Sequence, residues 1–152
     1  MTVTARLEEL GIELPEVAAP VASYVPAVLH GGLVYTSGQL PFASGALPAT
    51  GKVGAEVTAE DANAHARTCA LNALAAAAAA AGGVEKIGGV LRVGGFVASA
   101  PSFTGQPGVI NGASEVLGEI FRDAGRHARA AVGVAVLPLD SPVEVEVTFV
   151  LA

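Results

Sequence analysis

The last quarter of the chain, HARAAVGVAVLPLDSPVEVEVTFVL, most constrains what it can fold into. Two runs of alternating residues flank Leu137-Pro138-Leu139-Asp140-Ser141-Pro142, and a period of two marks strands with two unlike faces. In the first run Val132, Val134 and Val136 alternate with Arg129, Ala131, Gly133 and Ala135. In the second, Val143, Val145, Val147 and Phe149 alternate with Glu144, Glu146 and Thr148. The short connection predicts a hairpin turning near Leu139-Asp140, with Ala135 opposite Glu144 and Gly133 opposite Glu146. In that register the bulky faces coincide and call for a cover of helices. The opposite face combines Ala and Gly with one arginine and two glutamates, which are costly to bury unpaired. Such a face suits self-association around a polar pocket.

The remaining segments supply helices and further strands. Thr2 to Leu10 predicts a short helix capped by Thr2 or Thr4 and stopped at Gly11, followed by an extended connector over Pro15 to Pro20. Tyr24 to Leu29 and Leu33 to Ser37 read as a hairpin around His30-Gly31-Gly32. Residues 41–57, rich in Pro and Gly, form a loop. Thr58 caps a long helix with Glu60 and Asp61 in its first turn, running through the alanine stretch to Gly82-Gly83. A strand over Val90 to Ala98 and a loop over Pro101 to Pro107 follow. A helix then opens at Pro107 and ends near Gly125. Hairpins interspersed with helices imply an α+β fold, a mainly antiparallel sheet with helices on one face.

Composition narrows the function classes. At 152 residues, 52% hydrophobic and 14% charged, the chain reads as one domain over 1–152 rather than as a disordered segment. Residues 1–20 supply an N-terminal helix and connector, and 21–152 the core. A net charge of −6, with eight basic residues scattered along the chain, argues against a nucleic-acid partner. The single cysteine, Cys69, excludes an intrachain disulfide. The N-terminus lacks a basic region followed by an apolar core, and no apolar run reaches the ~20 residues that span a bilayer. A cytoplasmic protein without a membrane partner is the expectation.

Several apparent motifs fail on their chemistry. Gly45 to Lys52, GALPATGK, has one residue too many between its glycines and Val53 where a magnesium-binding Ser or Thr belongs. His30, His65 and His127 have no ligand spacing and no cysteine partner, so no metal is expected. Ser37 lacks the surroundings of a hydrolase nucleophile.

Four segments together resemble the RidA/YjgF family of reactive-intermediate (enamine/imine) deaminases, whose older labels are endoribonuclease L-PSP and translation initiation inhibitor. They are VASYVPAVLHGGLVYTSGQLP, ARTCALNALAAAAAAAG, FTGQPGVINGASEVLGEIF and ARAAVGVAVLPLDSPVEVEV, spanning roughly residues 21–148. The 41–57 loop and the SAPSFTGQPGVING stretch resemble a longer-loop branch of the family. The resemblance implies a chorismate-mutase-like homotrimer with sites in the clefts between subunits and no cofactor. It implies that Arg129 binds a substrate carboxylate and that Glu144 positions or activates the attacking water. Tyr24, Ser37 and Asn111 match the remaining site positions. Ala131 stands where many members have a cysteine, and His127-Ala128 where they have Pro-Ala.

In the hairpin register Arg129 lies opposite about residue 150, some ~20 Å from Glu144 at ~3.3 Å per residue. One chain could not apply both to one small substrate, so a shared site requires Arg129 from one subunit and Glu144 from the next. Plainer readings stay open for each residue. Arg129 could pair with Glu144 or Glu146 of a neighbour, Tyr24 could be an interface aromatic, and Asn111 could serve local hydrogen bonding. Three functions follow: hydrolysis of small 2-imino acids to 2-oxo acids and ammonia, non-catalytic binding of a small carboxylate by the same trimer, and, weakest for so acidic a chain, ribonuclease activity.

Overall fold

The computed structural model describes residues 1–20 and 22–152; Val21, the first residue of the expected core, lies outside the described residues. Three helices, α1 (Val3–Glu9), α2 (Ala59–Ala81) and α3 (Gln106–Phe121), accompany five strands, β1 (Ala27–His30), β2 (Leu33–Thr36), β3 (Ile87–Ala98), β4 (Ala128–Val134) and β5 (Val143–Leu151). The strands form one sheet in the order β1-β2-β5-β3-β4. Three of its pairings are antiparallel, and β3 and β4 run parallel.

Local chemistry sets the helix ends. Thr2 and Thr58 accept hydrogen bonds from Ala5 N–H and Asp61 N–H, which satisfies donors that the first helical turn leaves open. Gly82 ends α2 in the left-handed region, at φ 88°, where a Cβ would be strained. The α3 helix begins at Gln106 with Pro107 in its first turn, and stops at Phe121, earlier than expected. Residues Arg122–Gly125 make a separate 3-10 turn, because Arg122 already takes a positive φ of 55°. The α2 and α3 helices cover one face of the sheet, and their small residues bring them close. A Cβ at Gly112 of α3 would collide with the Asn63 carbonyl oxygen of α2.

The predicted β4–β5 hairpin does not form. Strand β3 lies between them, parallel to β4 and antiparallel to β5. Twelve residues long, β3 can pair along both edges, and its small Gly94 and Gly95 leave room on each face. A Cβ at Gly95 would meet the Ile110 side chain of α3, and one at Gly94 would meet Glu146. On the helix-covered face Val143, Val97 and Gly133 lie side by side, then Val145, Gly95 and Ala131, then Val147, Val93 and Arg129. On the open face the corresponding rows are Glu144, Phe96 and Val132, then Glu146, Gly94 and Ala130.

The bulky residues of the two terminal strands therefore point in opposite directions. Val143, Val145, Val147 and Phe149 are buried under helices, as expected. Val132 stands on the open side, 44% exposed, and Val136, just beyond the end of β4, is 64% exposed. Tyr35, Val28 and Leu91 are exposed as well, so the sheet carries an uncovered apolar surface. Among the described residues no helix is long and apolar enough to cross a membrane.

Candidate active site in two halves

The first half gathers around Glu144. A cleft of about 470 Å³ is lined by the connector at Ala18, Ala19 and Pro20, by Tyr24 and Ser37, and by Glu144. The Ser37 hydroxyl donates to the Val25 carbonyl oxygen at 2.6 Å, which ties the strand end to the segment carrying Tyr24. After β2 the chain continues as an isolated bridge between Gln39 and Val145, and this places Gly38 against β5. Glu144 lies directly over Gly38: a Cβ there would come within 2.8 Å of the carboxyl carbon. Among the described residues no hydrogen bond or ion pair reaches the Glu144 carboxylate. Burial, and then the charge of Glu146 on the same face, raise its pKa above the usual carboxylate value.

The second half is built on α3 and β4. Arg129 Nη1 donates to Asn111 Oδ1 at 2.9 Å and to Ser114 Oγ at 3.1 Å, and Nη2 donates to the Pro107 carbonyl oxygen at 3.0 Å. Asn111 and Ser114 are three residues apart on α3, hence on one helical face, which is the face turned to Arg129. Ser114 Oγ also lies 2.8 Å from His127 Nε2, and His127 Nδ1 lies 2.6 Å from the Gly125 carbonyl oxygen.

Of the five residues expected at the site, the structure unites Tyr24, Ser37 and Glu144 in one cleft and Arg129 with Asn111 in another place. Arg129 and Glu144 do not share a face, contrary to the hairpin register, because β3 intervenes and reverses the phase of β4. Their β3 partners, Val93 and Phe96, are three residues apart. At ~3.3 Å per residue and ~4.8 Å per strand, the two backbones are ~14 Å apart rather than ~20 Å. The side chains nonetheless leave opposite faces of the sheet, so one chain still cannot bring them to one small molecule.

The chemistry of the halves differs. One offers a fixed cation suited to a carboxylate; the other offers a carboxylate with an elevated pKa, suited to moving a proton. Among the described residues no group of three His, Cys, Asp or Glu side chains is placed to hold a metal ion. Sequence reasoning missed Gly38, Ser114 and His127. Gly38 stands within the SGQLP stretch that carried the resemblance, and its neighbours gave the only signal for it. His127 showed only as the departure from the family's Pro-Ala just before Arg129, and Ser114 had no signal, since their partnership exists only where α3 packs against β4.

A family model described as "YjgF/chorismate_mutase-like, putative endoribonuclease" matches residues 4–150. The Trypanosoma cruzi protein TCP17 is 44% identical over 145 residues, 95% of this chain and 91% of that protein. Among solved structures, Atu1372 from Agrobacterium tumefaciens, of unknown function, is 46% identical with a TM-score of 0.90, covering 99% of this chain and 92% of that one. A "putative endoribonuclease" from Shewanella oneidensis is 37% identical with a TM-score of 0.94, covering 99% and 100%. The α+β sheet with its helices on one face is the chorismate-mutase-like fold of small-molecule-binding or deaminase-like proteins. The chain belongs to the YjgF/RidA family.

Proposed function

We propose that the protein is a hydrolase of C=N bonds, converting small 2-imino acids to 2-oxo acids and ammonia in the clefts of a homotrimer. The carrying observation is that its two half-sites are each assembled yet face away from each other within one chain. Closure of the site then falls to neighbouring subunits, with Arg129 of one facing Glu144 of the next. The uncovered apolar sheet face around Val132 and Tyr35 supports this association, since patches of this kind on soluble proteins mark interaction surfaces.

In this reading Arg129 fixes the substrate carboxylate through two parallel N–H donors. Glu144 takes a proton from water as the oxygen bonds to the imine carbon, and Tyr24 and Ser37 shape the cleft around it. Glu144 passes this proton to the nitrogen, giving the tetrahedral carbinolamine. It then takes the hydroxyl proton as the C=O bond forms and delivers it to the nitrogen as the C–N bond breaks, so that ammonia leaves and the 2-oxo acid remains. No cofactor is required, because the imine carbon is already electrophilic.

The test is hydrolysis of 2-iminobutyrate, generated by an amino-acid oxidase and trapped with semicarbazide. Wild type should accelerate imine loss; Arg129→Ala and Glu144→Gln should not. Equal amounts of the two inactive variants, unfolded and refolded together, should regain about a quarter of wild-type activity, because a cleft drawing Arg129 and Glu144 from different chains is intact one time in four. A monomer by sedimentation, or no recovery in the mixture, would overturn the shared site. A trimer that binds 2-oxobutyrate without hydrolysing any imine would leave carboxylate binding as its function.

A further inference from the structure

We propose that Ser114 and His127 are positioning residues that lock Arg129 in the pose where a single edge of its guanidinium remains for a carboxylate. This rests on the reading that Arg129 receives the substrate carboxylate. The directions of the hydrogen bonds follow from the atoms. His127 Nδ1 lies 2.6 Å from the Gly125 carbonyl oxygen, and a carbonyl can only accept, so Nδ1 carries the ring proton. In the neutral ring with its proton on Nδ1, Nε2 is an acceptor, and the Ser114 hydroxyl 2.8 Å away donates to it. A serine hydroxyl has one hydrogen. Once this is committed to His127, only lone pairs remain toward Arg129 Nη1 at 3.1 Å. The chain of donors thus runs one way, from Arg129 through Ser114 and His127 to the Gly125 carbonyl.

Arginine has five N–H donors. Nη1 uses two, on Asn111 Oδ1 and Ser114 Oγ, and Nη2 uses one on the Pro107 carbonyl oxygen. The Nε–H and one Nη2 N–H remain, and where the Pro107 carbonyl takes the Nη2 hydrogen facing Nη1 these two lie on one edge, which matches the two oxygens of a carboxylate. The locking groups come from two elements in register. Asn111 and Ser114 are one turn apart on α3, while His127 and Arg129 are two apart and leave the same side of the chain entering β4. Without the Ser114 acceptor, one Nη1 hydrogen is released and the guanidinium can rotate, which spoils the edge it presents without touching Glu144.

The experiment combines kinetics, calorimetry and NMR on the trimer. Ser114→Ala should raise KM for 2-iminobutyrate about tenfold, the usual cost of losing one hydrogen bond to a charged group, with kcat within about twofold. Ser114→Thr, which keeps the hydroxyl, should restore KM, and His127→Phe should behave like Ser114→Ala. Side-chain 15N spectra should show His127 as the Nδ1–H tautomer, with its Nε2 signal shifting in Ser114→Ala. An Nε2–H tautomer, or a KM equal in wild type and Ser114→Ala, overturns the positioning role while wild-type turnover leaves the deaminase reading intact. If wild type hydrolyses no imine, that reading fails by itself. The positioning role is then judged by the Kd of 2-oxobutyrate, expected about tenfold weaker in Ser114→Ala. No 2-oxobutyrate binding by wild type, or an unchanged Kd in the variant, overturns it.

Discussion

The two half-sites are opposites in how their charge is held. Arg129 is partly buried at the sheet edge with three of its donors spoken for by α3. Glu144 lies on the other face, over a glycine and an apolar cleft, with like charge nearby in Glu146. Under the proposed function the difference is a division of labour. A binding group gains from being fixed, because the entropy of ordering it is spent at folding. A proton-transfer group gains from being under-solvated, because desolvation moves its pKa toward neutrality. Each arrangement would spoil the other group.

The sharpest way to break the comparison is to remove each charge in turn. Glu144→Gln should lower kcat by about 10²–10⁴-fold, the range for a general base, while 2-oxobutyrate binding measured by calorimetry stays within a few-fold. Arg129→Ala should lose that binding instead. Next in size, Gly112→Ala should push α3 away from α2, since a Cβ there meets backbone rather than a flexible tip. Thermal unfolding should register a loss of about 1–3 kcal/mol, and KM should rise because Asn111 and Ser114 travel with the helix.

Gly38→Ala perturbs the other half more gently. The atoms that its Cβ meets are the end of the Glu144 side chain, which can move aside. We expect kcat to fall about tenfold, as small displacements of a reacting group do, with Tm nearly unchanged. The smallest effect is electrostatic. Glu144 must be ionised to act as a base, so activity falls as pH drops through its raised pKa. Glu146→Gln removes the lesser cause of that rise and should shift the acid limb of kcat/KM downward. The same raised pKa makes ionised Glu144 a burden on folding. The stability associated with its protonated form is present at low pH and is lost as pH rises through the folded-state pKa. Glu144→Gln should therefore raise Tm at pH 7, and the advantage should disappear in acid.

Much of the fold was legible because local chemistry wrote it. Thr58 and Gly82 bracket α2 by capping and by a left-handed stop, both set by the residue itself. The alternation in β5 located its buried face, and the family motifs pointed to five candidate site residues, of which the structure gathers Tyr24, Ser37 and Glu144 in one cleft and Arg129 with Asn111 elsewhere. Alternation also marked β4 as a strand, but it could not say which of its faces is covered. A period of two is blind to its partner, and a one-residue change of phase exchanges the faces. The short 135–142 connection suggested that β4 and β5 are neighbours. Both strands are instead served by β3, whose length and glycines let it take the central place.

By itself, then, the sequence determined the elements, the family and the residue types available for chemistry, since these depend on neighbours along the chain. The strand order decided the rest. Placing β3 between β4 and β5 turned Arg129 toward α3 and left Glu144 on the open face, so that the site is divided within each chain. It also created the Arg129–Ser114–His127 linkage, which joins residues up to fifteen positions apart and exists only because α3 packs against β4.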